Sequence, residues 1–219
     1  MSAEKIRLGL DHDDVQVCFI PGIVAWSHRE YGTSPRVEDY RDDWAEWWGI
    51  PREAAIERRN AFWASEASLS FLPLEGAVES LRRLADDGLF GCEVEMFVLT
   101  SRPAIAQAVT RAALDKHFPG LFSAEQVYFA GFFDGNFGPN AHLLSKGQQF
   151  VKHGARIIVD DAPVHVNGSC VAGVPLPLHL DVYGRHREAE LHPSVRTALD
   201  WQGLLVCMRQ AGELLQATP

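Results

Sequence analysis

Ile6-Arg7-Leu8-Gly9-Leu10-Asp11-His12-Asp13-Asp14-Val15 is the stretch from which the fold is read. A short apolar run stops abruptly in three carboxylates within four residues. Such a run predicts a buried strand, and the acids then stand at its carboxyl end, where open α/β sheets bind their ligands. Carboxylates this close repel one another, and a divalent metal among them is the simplest relief. An acidic turn after a strand is common by itself. A second stretch of the same kind, Arg156-Ile157-Ile158-Val159-Asp160-Asp161, changes the balance. Two strand-end acid clusters in one domain predict a magnesium site.

The chain has 219 residues, enough for one large domain or for a core with an insertion. A formal net charge of −9 supplies no basic field to recruit a nucleic-acid polymer, but leaves room for small anions. No stretch has the length and apolarity of a membrane span, and Met1-Ser2-Ala3-Glu4-Lys5 runs straight into a strand, so no signal peptide is expected. Cys18, Cys92, Cys170 and Cys207 are scattered without CxxC spacing, which predicts neither structural zinc nor a disulfide framework. A reducing cytoplasm is the expected compartment.

After the first acidic turn no strand is expected for a long interval. Helices are predicted over 19–31, ending at Gly32, over 37–48, ending at Gly49, and over 51–64 behind Pro51. The segment 75–87 reads as an amphipathic helix with Val78, Leu81 and Leu84 on its apolar face. A strand, several helices and only then another strand predict an inserted helical subdomain over 17–72. The remainder alternates as an α/β fold should, with strands at 94–99, 126–130 and 157–159 and a last one at 175–180. Helices are expected at 103–117, 145–153, 164–172 and 197–215, and a Gly-rich loop at 131–139.

At this point the pattern resembles a family. Leu10-Asp11-His12-Asp13-Asp14-Val15, Leu99-Thr100-Ser101-Arg102-Pro103, Ser145-Lys146 and Val159-Asp160-Asp161 follow one another as the four motifs of the haloacid dehalogenase (HAD) superfamily of phosphohydrolases do. With Tyr31-Gly32-Thr33, the local text is similar to the 5′(3′)-deoxyribonucleotidase and nucleotidase-like branch, in which a helical cap follows the first motif. The resemblance implies a Rossmann-like three-layer α/β/α core with a parallel sheet, built from 1–16 and 73–219, and a small helical cap over 17–72. It implies a Mg²⁺-dependent phosphatase acting on a small phosphorylated metabolite, with a nucleoside monophosphate as the first candidate. No nucleic-acid polymer and no membrane enters this reading, and a homodimer stays open.

By the same resemblance Asp11 is the nucleophile that forms an aspartyl-phosphate, splitting one hard step into two. Alternation along an extended chain points Asp11 and Asp13 to the same side, so Asp13 can protonate the leaving oxygen and then activate water. Thr100 and Ser101 are the phosphate-binding hydroxyls, although either could simply cap the next helix. Lys146 is the cation that offsets repulsion between Asp11 and phosphate; a lysine in a first helical turn is disfavoured by the helix dipole and needs another reason to be there. Lys152, further along that helix, reads as a solvated side chain. Asp11, Asp13 (through its backbone carbonyl), Asp160 and Asp161 are the implied metal ligands.

Asp14 occupies a position often held by glycine, and Leu180-Asp181-Val182-Tyr183-Gly184-Arg185-His186 only loosely resembles the tyrosine-containing loop of nucleotidases. His12 is expected to point away from the acids. The inserted region is rich in aromatics: Phe19, Trp26, Tyr40, Trp44, Trp47, Trp48, Phe62 and Trp63. They can form the cap's own core or grip a substrate, and Phe19 and Trp26 are the expected specificity residues. The run 52–59 reads as a solvated helix face. Alternatives are a phosphate- or nucleotide-binding module without catalysis, a phosphomutase, and a dehalogenase, the last disfavoured because dehalogenation has no use for the Asp13 acid/base.

Overall fold

The computed structural model describes residues 5–33, 35–131, 144–212 and 215. Among these, six strands form one parallel sheet: β1 Lys5–Leu10, β2 Glu93–Thr100, β3 Val127–Phe129, β4 Ile157–Asp160, β5 Leu176–Leu180 and β6 Arg196–Ala198. Their lateral order is β3-β2-β1-β4-β5-β6. The chain therefore builds outward from β1 through β2 and β3, then returns to β1's other side for β4. That reversal opens a crevice at the carboxyl ends of β1 and β4, the place where doubly wound sheets bind ligands. The register pairs Leu10 with Val159, and the Asp11 amide donates to the Val159 carbonyl at 2.9 Å. Asp11 and Asp160 thus emerge side by side.

The strands are buried on both faces, as parallel strands must be. Phe97, Leu99 and Ile158 pack with Phe150 and Val166 on one face, beneath α6 (Lys146–Lys152) and α7 (Pro163–Ala172). Val98, Ile157 and Val159 belong to the larger cluster on the other face. It includes Leu81 and Leu84 of α4 (Ala77–Asp87), Leu114 of α5 (Gln107–His117), and Leu204 and Met208 of α8 (Trp201–Gln210). This is the expected three-layer arrangement. A Cβ on Gly147 would lie 2.5 Å from the Gly168 carbonyl oxygen, so glycine there lets α6 approach α7 and seats the start of α6 over the sheet.

Between β1 and β2 lie α1 (Phe19–Tyr31), α2 (Trp44–Trp48) and α3 (Arg52–Ala64). The outgoing and returning segments of this region meet in an isolated antiparallel bridge, Val17 with Pro73. Cys18 donates to Leu72 at 2.9 Å, and Leu74 donates to Gln16 at 2.8 Å. The region's aromatics make a cluster around Phe19, whose ring lies 5.9–6.3 Å from those of Tyr40, Trp44, Phe62, Trp63 and Phe71.

Three expectations need correcting. The helix expected over 37–48 is a short 3₁₀ turn, Val37–Asp39, followed by α2. Asp43 restarts the helix by accepting the Ala45 and Glu46 amides, an N-cap that a periodicity argument overlooks. The strand at 176–180 is not the last, because β6 follows. Its three residues are too few to show a period, and two of them, Thr197 and Ala198, fall within the helix expected over 197–215. That helix begins at Trp201, capped by Asp200 through the Gly203 amide. The segment expected as a helix over 103–117 is divided, with a 3₁₀ turn at Ala104–Ala106 before α5. The expected Gly-rich loop lies outside the described residues beyond Gly131.

Candidate active site

Each acid is placed by a strand end. β1 runs directly into Asp11, and β4 ends in Asp160 with Asp161 next. Lys146 enters from the start of α6, where Ser145 and Gln148 form a reciprocal capping box. Its Nζ lies 2.7 Å from Asp11 Oδ1 and 2.7 Å from Asp160 Oδ2. Lys146 is itself buried. Burial works against its charge, yet the two carboxylates raise its pKa above the ordinary lysine range. Lys152, by contrast, is exposed.

One lysine does not balance the site. Asp11, Asp160 and Asp161 each present an oxygen, all within 4.8 Å of one another. Burial, with Lys146 opposing and Asp160 and Asp13 assisting, pushes Asp11 up to about 6. Burial and the charges of Asp14, Asp160 and Asp11 push Asp161 well above the usual carboxylate range. Burial is the larger cause of both shifts, and the neighbouring carboxylates add to it. A cluster of hard oxygen donors with surplus charge fits a magnesium ion. The Asp13 side chain contributes nothing to that cluster.

Asp13 turns instead toward Arg102. The guanidinium grips it through Nε, 2.9 Å from Oδ2, and through Nη2, 2.5 Å from Oδ1. Arg102 is buried, donates through Nη1 to Thr110 at 3.0 Å, and lies 5.1 Å from the Trp63 ring centroid. Thr100 is buried at the end of β2 and accepts the Arg102 amide at 3.2 Å. Ser101 lines the cavity above, and among the described residues its buried Oγ has no hydrogen-bond partner. A buried hydroxyl without a partner is costly unless a ligand supplies one.

Asp14 has a structural task. Its φ of 53° is left-handed, a conformation that aspartate tolerates better than most residues. Its Oδ1 accepts the Phe19 and Ile20 amides at 3.0 and 3.1 Å and the Tyr183 hydroxyl at 3.0 Å. Burial pushes Asp14 up to about 7, while the Ile20 amide and Tyr183 pull against it. It therefore anchors the first turn of α1 and the loop after β5 to the acid turn. His12 points away from the acids, is wholly buried, and lies 2.8 Å from Gln16 through Nδ1. Burial, helped by Arg102, lowers it to about 4, so it is neutral.

Over the acids lies a cavity of about 550 Å³. Asp11, Asp13, Asp161, Ser101 and Arg102 form its floor; Phe19, Tyr40, Trp44 and Trp63 form an aromatic wall. Arg52, Ile56 and Arg59 of α3 and Arg185 face it as well. Trp26 does not line it, and packs instead against Tyr31 and Phe62.

Three solved structures share this architecture over nearly their whole length. A HAD hydrolase of family IA, variant 3, from Entamoeba histolytica superposes with a TM-score of 0.60 at 13% identity, over 96% of this chain and 99% of that one. A HAD family hydrolase from Deinococcus radiodurans R1, with bound phosphate and sodium, gives 0.57 at 18% identity, over 96% and 98%. A HAD-superfamily hydrolase of subfamily IA, variant 1, from Geobacter sulfurreducens gives 0.56 at 17%, over 94% and 98%. The chain has the HAD-hydrolase fold. No protein-family model matches the sequence, and no curated protein does.

On the HAD fold, several site residues escape sequence reasoning. Arg102 stands inside a quoted motif, but nothing in the sequence reveals that it would pair with Asp13. Arg59 was read as solvated and lines the cavity instead. His179 is buried and donates through Nε2 to the Asp161 carbonyl at 2.9 Å, steadying the acid turn. His165 also lines the cavity, and burial lowers it to about 3. Tyr183 alone had a signal, in the tyrosine-containing loop.

Proposed function

We propose that the protein is a Mg²⁺-dependent phosphatase that hydrolyses a small phosphate monoester through an aspartyl-phosphate. The observation that carries this reading is Lys146 bridging Asp11 and Asp160 at 2.7 Å each, with Asp161 beside them, at the floor of a cavity. The bound phosphate of the Deinococcus radiodurans structure agrees with such a ligand. A phosphate monoester resists attack because its oxygens repel nucleophiles, so catalysis consists mainly of neutralising charge and holding the attacker in line. Asp11, Asp160 and Asp161, with the Asp13 backbone carbonyl, would hold the magnesium ion, which supplies charge neutralisation for the phosphoryl oxygens.

In this reading an Asp11 carboxylate oxygen attacks phosphorus, and the bond to the leaving oxygen breaks. Asp13 delivers a proton to that oxygen, then takes one from the water that attacks the aspartyl-phosphate, and inorganic phosphate departs. Lys146 offsets the charge of Asp11 and of the incoming phosphate. Ser101 and Thr100 donate to the phosphoryl oxygens. Proton delivery requires the Arg102–Asp13 pair to open, and the phosphoryl group offers the guanidinium a new anion. The helical region over 17–72 acts as the cap: it supplies the wall that meets the leaving group and excludes water before that group departs. A nucleoside monophosphate is the first substrate class to try, since Trp44 offers a half-buried ring for stacking. The four free cysteines suit a reducing cytoplasm.

Phosphate binding without turnover is the competing reading, and the Arg102–Asp13 pair favours it, because an acid/base kept in that grip would be idle. A panel of nucleotides, sugar phosphates and amino-acid phosphates decides between the two. Turnover is expected on some members, lost with EDTA and restored by Mg²⁺. Restoration by zinc but not magnesium would refute the hard-ligand argument. Binding of phosphate with no turnover on the whole panel would favour the second reading.

A further inference from the structure

Asp13 carries the proton in the proposed reaction, so whatever aims its carboxyl governs the first step. Among the described residues its side chain accepts hydrogen bonds from Arg102, and its two oxygens are held unequally. Oδ1 accepts from both Nε, at 3.1 Å, and Nη2, at 2.5 Å. Oδ2 accepts only a share of the Nε proton, at 2.9 Å. The carboxyl is gripped firmly at one oxygen and lightly at the other.

Arg102 is held in place without help from Asp13. Its Nη1 donates to Thr110 Oγ1 at 3.0 Å, and that hydroxyl is fixed in turn by donating to the Ala106 carbonyl at 2.8 Å. Its amide donates to Thr100 Oγ1 at 3.2 Å. The Trp63 ring of α3 lies 5.1 Å from the guanidinium, within reach of a cation–π attraction. The Arg102 side chain is 1% exposed and that of Asp13 21%. The buried, anchored cation is therefore the fixed partner, and the carboxyl that lines the cavity is the one able to turn. A planar fork with several donors holds a carboxyl in one orientation, as a lysine ammonium would not.

We propose that Arg102 is the positioning residue of Asp13: it holds Oδ1 and leaves Oδ2 to deliver the proton to the leaving oxygen. The pair then opens on one side only. Oδ2 gives up its share of the Nε proton while Oδ1 keeps both contacts, so the buried guanidinium is never left without a partner. As the bond from phosphorus to the leaving oxygen breaks, its electron pair stays on that oxygen, which takes the proton from Oδ2. The carboxylate left behind is again paired with Arg102. The inference rests on the phosphatase reading of the same site.

The test uses phenyl phosphate, 4-nitrophenyl phosphate and 2,4-dinitrophenyl phosphate, which share a ring and differ in how much the departing oxygen needs a proton. The readout is kcat/KM with Mg²⁺, which covers the steps up to departure of the phenol and is blind to later hydrolysis of the aspartyl-phosphate. Arg102→Met should lower it by about 10²-fold on phenyl phosphate, the scale on which a misplaced catalytic group acts. The loss should shrink along the series and be smallest on the dinitrophenyl ester. Arg102→Lys should restore part of the loss on phenyl phosphate. Thr110→Val, which removes the acceptor of Nη1, should tilt the series the same way by less, and it carries the test if Arg102→Met fails to fold. In an Asp13→Asn background Arg102→Met should add no further tilt, because the group it aims is gone. Circular dichroism and melting temperatures check each fold.

An equal loss on all three esters overturns the proposal and makes Arg102 a ligand of the phosphoryl group or a purely structural residue; the phosphatase reading survives it. A gain on phenyl phosphate also overturns it, since Arg102 would then restrain the acid. So does a tilt that adds in full to that of Asp13→Asn. No turnover of any ester by the parent would take both readings down.

Discussion

The floor and the wall of the cavity are built on opposite principles. The floor is made of charges held apart by hydrogen-bonded strands: Asp11 and Asp160 leave adjacent parallel strands in register, and Lys146 reaches both. Its geometry is a consequence of sheet register, so its parts are far apart in sequence but fixed in space. The wall is made of rings packed on rings, with Phe19 touching five other aromatics. The floor suits a reaction shared by many enzymes, and the wall suits a choice of substrate.

The largest expected effect breaks the floor. Asp11→Asn should lower turnover of any hydrolysed ester by about 10⁴-fold or more, the scale on which losing a nucleophile acts. The fold should survive, because Lys146 keeps Asp160 as its partner and one source of repulsion has gone. Circular dichroism and thermal melting check the fold, and substantial turnover by the variant would remove Asp11 from the nucleophile role.

In the wall, residues should divide by exposure. Phe19→Ala, in the middle of the cluster, should cost about 3–5 kcal/mol of stability. Trp26→Ala should also destabilise, while leaving the ranking of substrates alone, since Trp26 is outside the cavity lining. Trp44 lines the cavity and is only half-buried. Trp44→Ala should therefore reorder substrates at a smaller cost in stability. Denaturant midpoints and a substrate panel on the three variants separate these outcomes, and a reordering by Trp26→Ala would contradict the division.

The smallest effect concerns the turn beneath the floor. His12 is held neutral, with its pKa lowered to about 4 from an ordinary value near 6.5. The unfolded chain takes up that proton first as pH falls, so His12 contributes stability above about pH 6.5 that is lost on the way down to about pH 4. A His12→Gln variant should lose less stability than the parent across that window, by roughly 1–3 kcal/mol. Urea midpoints at the two ends measure it, and parallel pH profiles would show that His12 is not the group responsible.

The floor was legible because its residues obey local rules. Apolar runs ending in acids are strand ends, and a lysine in a disfavoured helical position signals another task. The α/β class and the acids Asp11, Asp160 and Asp161 could be read in this way, together with Lys146. β6 could not, since Arg196–Ala198 is too short to display a period. The start of α2 was lost because one side-chain bond from Asp43 outweighs the apolar spacing before it.

What the sequence by itself determined, then, is the set of charges at the strand ends and the alternation of most strands and helices along the chain, because strand and helix periods are properties of neighbours along the chain. Tertiary structure alone decided the partners across it. Arg102 meets Asp13 at 2.5 Å although 89 positions separate them. Asp14 became an anchor for α1 and Tyr183 rather than a ligand, and α3 turned Arg59 inward while Trp26 packed away from the cavity. Such choices depend on which faces meet when the helical region packs against the sheet, and no local pattern encodes that meeting.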